Sequence, residues 1–286
     1  MTVAAEHVQP DTAPATMGFS PDAQRRDQLR LDVSEAALAS GFSNSMAGTH
    51  TSKTMMLREL RALLSAVPGQ ERYEAYATAV LSDNVLDKAT ASTRKKTLLH
   101  LRHLYALQGR VKVFATLREL WSRDDEAQPL VALMCAIARD PLLRATADFM
   151  LTVTEGTRVT PELLGFEVAR AYPDRYTDGV IHHIGQNTGS SWNQAGFLHG
   201  KQRKYRTRPK PTEIATVYAL YLGHLEGFAG PALFDTLWIR LLEADDRWVR
   251  DAAESSGRAG WIDYASAGGM LDIGFHHLDD LARNAA

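Results

Sequence analysis

The chain of 286 residues is 45% hydrophobic and 23% charged, which supplies apolar surface for one large core or two modest ones and excludes disordered and fibrous classes. A formal net charge of -2 means that affinity for a polyanion must come from a local patch, because the field of the whole molecule would not attract one. A single cysteine, Cys135, excludes an intramolecular disulfide, and its apolar neighbours Leu133, Met134, Ala136 and Ile137 read as core packing in a reducing cytoplasm. In chain order, residues 1 to about 20 hold few large apolar groups and two prolines and are expected to be a flexible tail.

Residues 21–155 predict a helical bundle. Apolar side chains recur there at helical spacing, as in Leu57, Leu60, Leu63 and Leu64, then Leu98, Leu101, Leu104 and Tyr105. Thr51 or Ser52 can cap the first of these helices and Pro68-Gly69 stop it, while Thr90 to Thr93 can cap another and Gly109 end it. Asp140-Pro141 starts the last helix of this half, since proline is tolerated where the amide would be unpaired. Arg94, Lys95 and Lys96 at one helix start, followed by His100, Arg102 and His103, form a candidate nucleic-acid contact. The hydroxyls of Thr49, Thr51, Ser52 and Thr54 are a candidate for phosphate at a helix N-terminus. A solvated helix face and ordinary capping are the simpler readings of these two stretches.

Residues 156–286 read as a second domain. Thr160-Pro161-Glu162 supplies an N-cap, a proline at N1 and an early carboxylate for a helix to about Ala171, and Thr177 with Asp178 opens a longer helix through Gln194, closed by Gly196. Six positive charges then fall within ten residues, Lys201, Arg203, Lys204, Arg206, Arg208 and Lys210, with no acid among them. Helix, turn, helix, hairpin is the order of a winged helix. Period-two alternation in the hairpin puts Lys204 and Arg206 on one face, with Arg203 and Tyr205 on the other, so that one face meets phosphates. A charged edge hairpin that only prevents aggregation is the alternative. The helix before it strings together Gln186, Asn187, Ser190, Ser191, Asn193 and Gln194, side chains suited to base edges and phosphate oxygens. Gly185 and Gly189 lower its propensity and permit close packing. Thr212 caps an apolar helix, a second follows through Leu242, and a helix from Asp245 to Ser256 leads to another hairpin with Gly268-Gly269 at its tip. This second helix-then-hairpin unit lacks the basic charge of the first. The expected fold class is mainly α, an N-terminal helical bundle followed by a winged-helix-like domain with short β-hairpins.

Catalytic signals are sparse. The chain has no phosphate-cradling G-x-x-x-x-G-K-[ST] loop, no G-x-G-x-x-G turn and no G-x-S-x-G elbow, and its histidine pairs lack partners at metal-site spacing. The expectation is a non-enzymatic protein without cofactor, metal or small-molecule substrate. Apolar stretches are interrupted well short of the roughly 20 residues that span a bilayer, so no membrane partner and a cytoplasmic location are expected.

The chain also resembles the BrxA family of BREX bacteriophage-exclusion systems. The resemblance lies in Thr51-Ser52-Lys53 before Arg58-Glu59-Leu60, in Thr93-Arg94-Lys95 with Leu101-Arg102-His103-Leu104-Tyr105, and in Ala138-Arg139-Asp140-Pro141-Leu142-Leu143-Arg144. It continues through Gln186-Asn187, Ser190-Ser191-Trp192, Gln194, Gly196 and Leu198, then Tyr221-Leu222, Leu225-Glu226-Gly227 and Leu233-Phe234-Asp235-Thr236. What the resemblance implies is a non-enzymatic component of a phage-defence system that binds DNA, duplex most of all, beside other BREX proteins, with a helical part likened to the NusB fold. RNA binding, as in a transcription complex, and a scaffold for a methyltransferase or ATPase partner are the competing expectations.

Overall fold

The computed structural model describes residues 33–46, 48–268 and 270–284. The chain divides into Met1–Asp32 and Val33–Ala286, so the tail expected at residues 1–20 lies outside the described residues. Within the second unit the order is α1 (Glu35–Ala39), a 3-10 turn (Thr49–Thr51), α2 (Leu57–Ala66), α3 (Tyr73–Leu81), α4 (Ala91–Tyr105), α5 (Lys112–Trp121) and α6 (Gln128–Arg139). It continues with α7 (Pro141–Arg144), α8 (Ala147–Thr152), β1 (Arg158–Val159), α9 (Pro161–Ala171), α10 (Asp178–Gln194), β2 (Leu198–His199) and β3 (Lys204–Arg206). The last elements are α11 (Glu213–Leu225), a second 3-10 stretch (Gly230–Asp235), α12 (Leu237–Arg240), α13 (Asp246–Arg258), β4 (Asp263–Ala267), β5 (Met270–Gly274) and α14 (His276–Asn284). The protein is thus mainly helical, with a few short antiparallel strands.

Two helices form the centre. In α6 every residue from Leu130 to Ala138 is buried, and α11 is buried from Ala215 to Gly223, so neither has the polar face of a surface helix. They pack on each other, with α4 and α5 against α6. The apolar stripes of α2 and α4 point into this core, where each fully buried leucine contributes about 1.5–3 kcal/mol. Cys135 is buried in α6, and burial pushes its thiol up to about 11, as a packed hydrophobe requires. The same core takes in Met150 and Val159, then Trp192 and Phe197, and reaches Leu278, crossing the boundary expected between residues 155 and 156.

Local chemistry explains several helix starts. Thr90, Asp140, Thr160, Thr212 and Asp245 each accept an amide of their helix's first turn through the side-chain oxygen. Two ends differ from expectation. α2 starts at Leu57 rather than after Thr51 or Ser52, because Thr49–Thr51 closes a separate 3-10 turn and Met56 precedes the helix with a left-handed φ of 57°. α4 stops at Tyr105, ahead of Gly109, where Ala106 and Leu107 turn the chain with φ of 63° and 54°.

The second half begins its sheet with β1 and completes it with the hairpin. β3 lies between β1 and β2, all antiparallel, with Arg158 opposite Tyr205 and Leu198 opposite Arg206. Gly200 turns the hairpin with φ of 106°, and a Cβ there would stand 2.0 Å from the Arg203 carbonyl, so only glycine fits. β4 and β5 form a separate two-stranded hairpin.

Candidate nucleic-acid interface

The helices and sheet of residues 158–206 are held by tight backbone packing. A Cβ on Gly185 of α10 would lie 2.0 Å from the Pro161 carbonyl, and one on Gly165 of α9 would lie 2.8 Å from Ile181. These glycines let α9 and α10 cross closely. Trp192 anchors α10 below, its indole N–H donating to Thr146 Oγ1 at 2.8 Å and its ring meeting Phe197 edge-on. Asn193 donates to the Gly200 carbonyl at 3.0 Å, tying the hairpin tip to the helix.

The six cations of the basic run separate into three groups. Lys201 and Arg203 are exposed at the tip, and among the described residues neither has an acidic partner. Arg208 and Lys210 are exposed beyond the hairpin and pair with Glu155 and Glu126, contacts that solvent screens. Arg206 corrects the expectation. It is 2% exposed, donates to the Met150, Phe197 and Thr207 carbonyls, and forms an ion pair with Glu243. Alternation does put Lys204 and Arg206 on one face, but that face packs inward, where Arg206 meets the Met150 and Phe197 carbonyls and Lys204 lies against α10. Lys204 is half-buried, with its stem over Gly189 of α10 and its ammonium donating to the Lys201 carbonyl at 3.3 Å.

The polar string of α10 divides by helical phase. Ser191, expected to face a ligand, is fully buried, and Asn187 and Gln194 turn inward as well. Asn187 donates to the His50 carbonyl at 3.0 Å, while Gln194 accepts from the Leu57 amide at 3.0 Å and donates to Thr54 at 2.9 Å. Their reason is tertiary: they clamp the segment from His50 to Leu57. Ser190 bonds the Gln186 carbonyl of its own helix. Outward there remain Gln186, His182 and His183, with Gln186 Nε2 2.9 Å from His182 Nε2. Glu162 lies 3.3 Å from His182 Nδ1, and a hydrogen bond with Thr160 holds its carboxyl below the usual carboxylate range. Arg158, exposed on β1 opposite Tyr205, adds a cation that the sequence pattern missed because it lies 43 positions from Lys201. Arg94 donates to the Leu81 and Lys88 carbonyls and so braces α3 against α4, whereas Lys95 and Lys96 are exposed.

One buried arrangement has the connectivity of a catalytic relay. His50 Nδ1 is 2.8 Å from Asp140 Oδ2, and His50 Nε2 is 2.8 Å from Ser191 Oγ. Burial alone would raise the Asp140 carboxyl, but the His50 ring and amide bonds from Leu142 and His50 outweigh it and hold it low. Ser191 Oγ accepts the Met55 amide at 2.8 Å and is closed from solvent, so in this conformation no acyl group reaches it. The relay instead fastens the 3-10 turn, the α6–α7 corner and α10 to one another.

No protein-family model matches the chain, and no curated protein matches it. Among the described residues no helix is long and apolar enough to cross a membrane.

Proposed function

We propose that the protein binds duplex DNA through a winged helix built from β1, α9, α10 and the β2–β3 hairpin, as an accessory component of a phage-exclusion system. The strand order β1-β3-β2 beside the α9–α10 pair, with the hairpin tip fastened to α10, carries this reading. Among the described residues no acid neutralises Lys201 or Arg203 at the tip, so their charge is available for phosphate, with Arg158 on the same sheet. The outward face of α10 is narrower than its composition implies, because Asn187, Ser191 and Gln194 are engaged internally. Phosphate contact at the wing therefore dominates over base reading by Gln186 and the two histidines. The family motifs between Thr51 and Thr236 extend the proposal to a defence context.

The test is a titration of duplex DNA across salt with Lys201→Glu/Arg203→Glu. Binding that weakens, with a salt slope shallower by about two, supports the wing; unchanged binding rejects it. Structured RNA titrated at one of the same salt concentrations separates the RNA reading from the DNA one.

A further inference from the structure

A second electropositive feature lies in the first half of the chain. An open groove of about 360 Å³ is lined by Arg72, Tyr73, Glu74, Arg102, Gln108 and Arg110. The lining carries more guanidinium groups than carboxylates, and among the described residues neither Arg72 nor Arg102 has an ion-pair partner. The arrangement is built by the fold. The Gly109 amide donates to the Glu71 carbonyl at 3.1 Å, which sets Arg110 and Arg72, each one residue further on, at the same rim. Arg102 comes from the last turn of α4 and is held over the Tyr73 ring at 4.2 Å, which restricts its guanidinium before any ligand arrives.

The backbone beside the groove is unusual too. Ala106 and Leu107 both take positive φ just before Gln108, conformations that cost energy in non-glycine residues and that cluster at ligand sites. The planar guanidinium of an arginine donates two parallel hydrogen bonds to a pair of phosphoryl oxygens, so arginines lining one groove suit phosphate. The volume falls within the roughly 300–1,000 Å³ range of small-molecule sites, large enough for a chain of phosphates. On the outer face of α4, exposed Lys95 stands seven residues before Arg102 and so on the same side of the helix.

We propose that this groove is a phosphoryl-binding site, independent of the wing, in which Arg72 and Arg102 hold phosphates. Two sources present that chemistry: a free polyphosphate or nucleotide, and the phosphodiester backbone of a nucleic acid.

The full chain titrated calorimetrically with tripolyphosphate, and by anisotropy with a short DNA duplex across salt, distinguishes them. Arg72→Gln/Arg102→Gln is compared with Lys201→Glu/Arg203→Glu. Tripolyphosphate binding that weakens about tenfold or more in the arginine variant and is unaltered in the wing variant assigns a free ligand. No tripolyphosphate binding, with a duplex salt slope shallower by about two in the arginine variant, assigns backbone phosphate. Binding of both probes unaltered by the arginine substitutions, or no binding of either probe by the full chain, overturns the site. Because the wing variant is read separately, loss of the wing proposal leaves this outcome legible. Should the arginine pair lower the melting temperature, Arg72→Glu, on an exposed residue, carries the same comparison.

Discussion

The two hairpins follow the same local recipe, a helix and then two short strands around glycine, yet they differ in everything outside that recipe. The β2–β3 hairpin acquires a third strand, buries Arg206 against Glu243 and presents Lys201 and Arg203 at its tip. The β4–β5 hairpin remains two-stranded, carries Asp263 and Asp272, and ends near Met270, which is 78% exposed. A hairpin pattern therefore specifies strands, while the neighbours it meets decide whether a cation is a strut or a contact.

Breaking the strut should give the largest effect. Arg206→Met leaves the largely covered Glu243 carboxylate without its partner, with an expected loss of about 3–5 kcal/mol in urea unfolding, as for a broken buried ion pair. A loss no larger than that of an exposed residue would show that Arg206 is not structural. In the other hairpin, Asp263→Asn removes an exposed ion pair with His276 and should leave the unfolding midpoint unchanged within error.

Gly185→Ala tests the helix pair on which the first hairpin rests. Its methyl would meet the Pro161 carbonyl, and an overpacking cost of about 1–3 kcal/mol is expected. Alanine at Gly179, where nothing lies within 4 Å, should be neutral or slightly stabilising, since it replaces glycine inside a helix. Equal melting temperatures for the two variants would contradict the close crossing.

Charge on the two hairpins comes next. Arg203→Glu should lower duplex affinity and make the salt slope shallower by about one, whereas Asp272→Asn in the second hairpin should alter neither. Equivalent effects in both hairpins would remove the distinction between them.

The smallest effect is a titration at the second hairpin. The bond to Asp263 raises the His276 pKa above 6.5, and the same bond lowers Asp263 below 3.8. A raised histidine stabilises fully below its unfolded value and ceases to do so as pH rises through its folded one. A depressed carboxylate stabilises above its unfolded value and ceases as pH falls through its folded one. The pair therefore contributes between those limits, only weakly because both groups are exposed. An NMR titration should find His276 above 6.5 and returning toward it in Asp263→Asn.

Much of the fold was legible from local chemistry. The caps at Thr90, Asp140, Thr160, Thr212 and Asp245 and the leucine stripes of α2 and α4 depend on residues two to four positions apart. The candidate site was legible only in part. The density of charge at Lys201–Lys210 was visible, but the inward turn of Arg206 depended on Glu243, and the inward turn of Ser191 on His50, 141 residues away. Arg72 and Arg110 meet because Gly109 bonds Glu71, and Arg102 joins that groove from the last turn of α4.

The sequence by itself determined where helices start and stop, which faces are apolar and where cations are dense, because hydrogen-bond capping and side-chain periodicity act over a single turn. Only the tertiary structure decided which polar groups remain available to a partner. A long charged or amide side chain has the same propensity whether it bonds a phosphate or a carbonyl of its own chain, and only packing brings that carbonyl within reach.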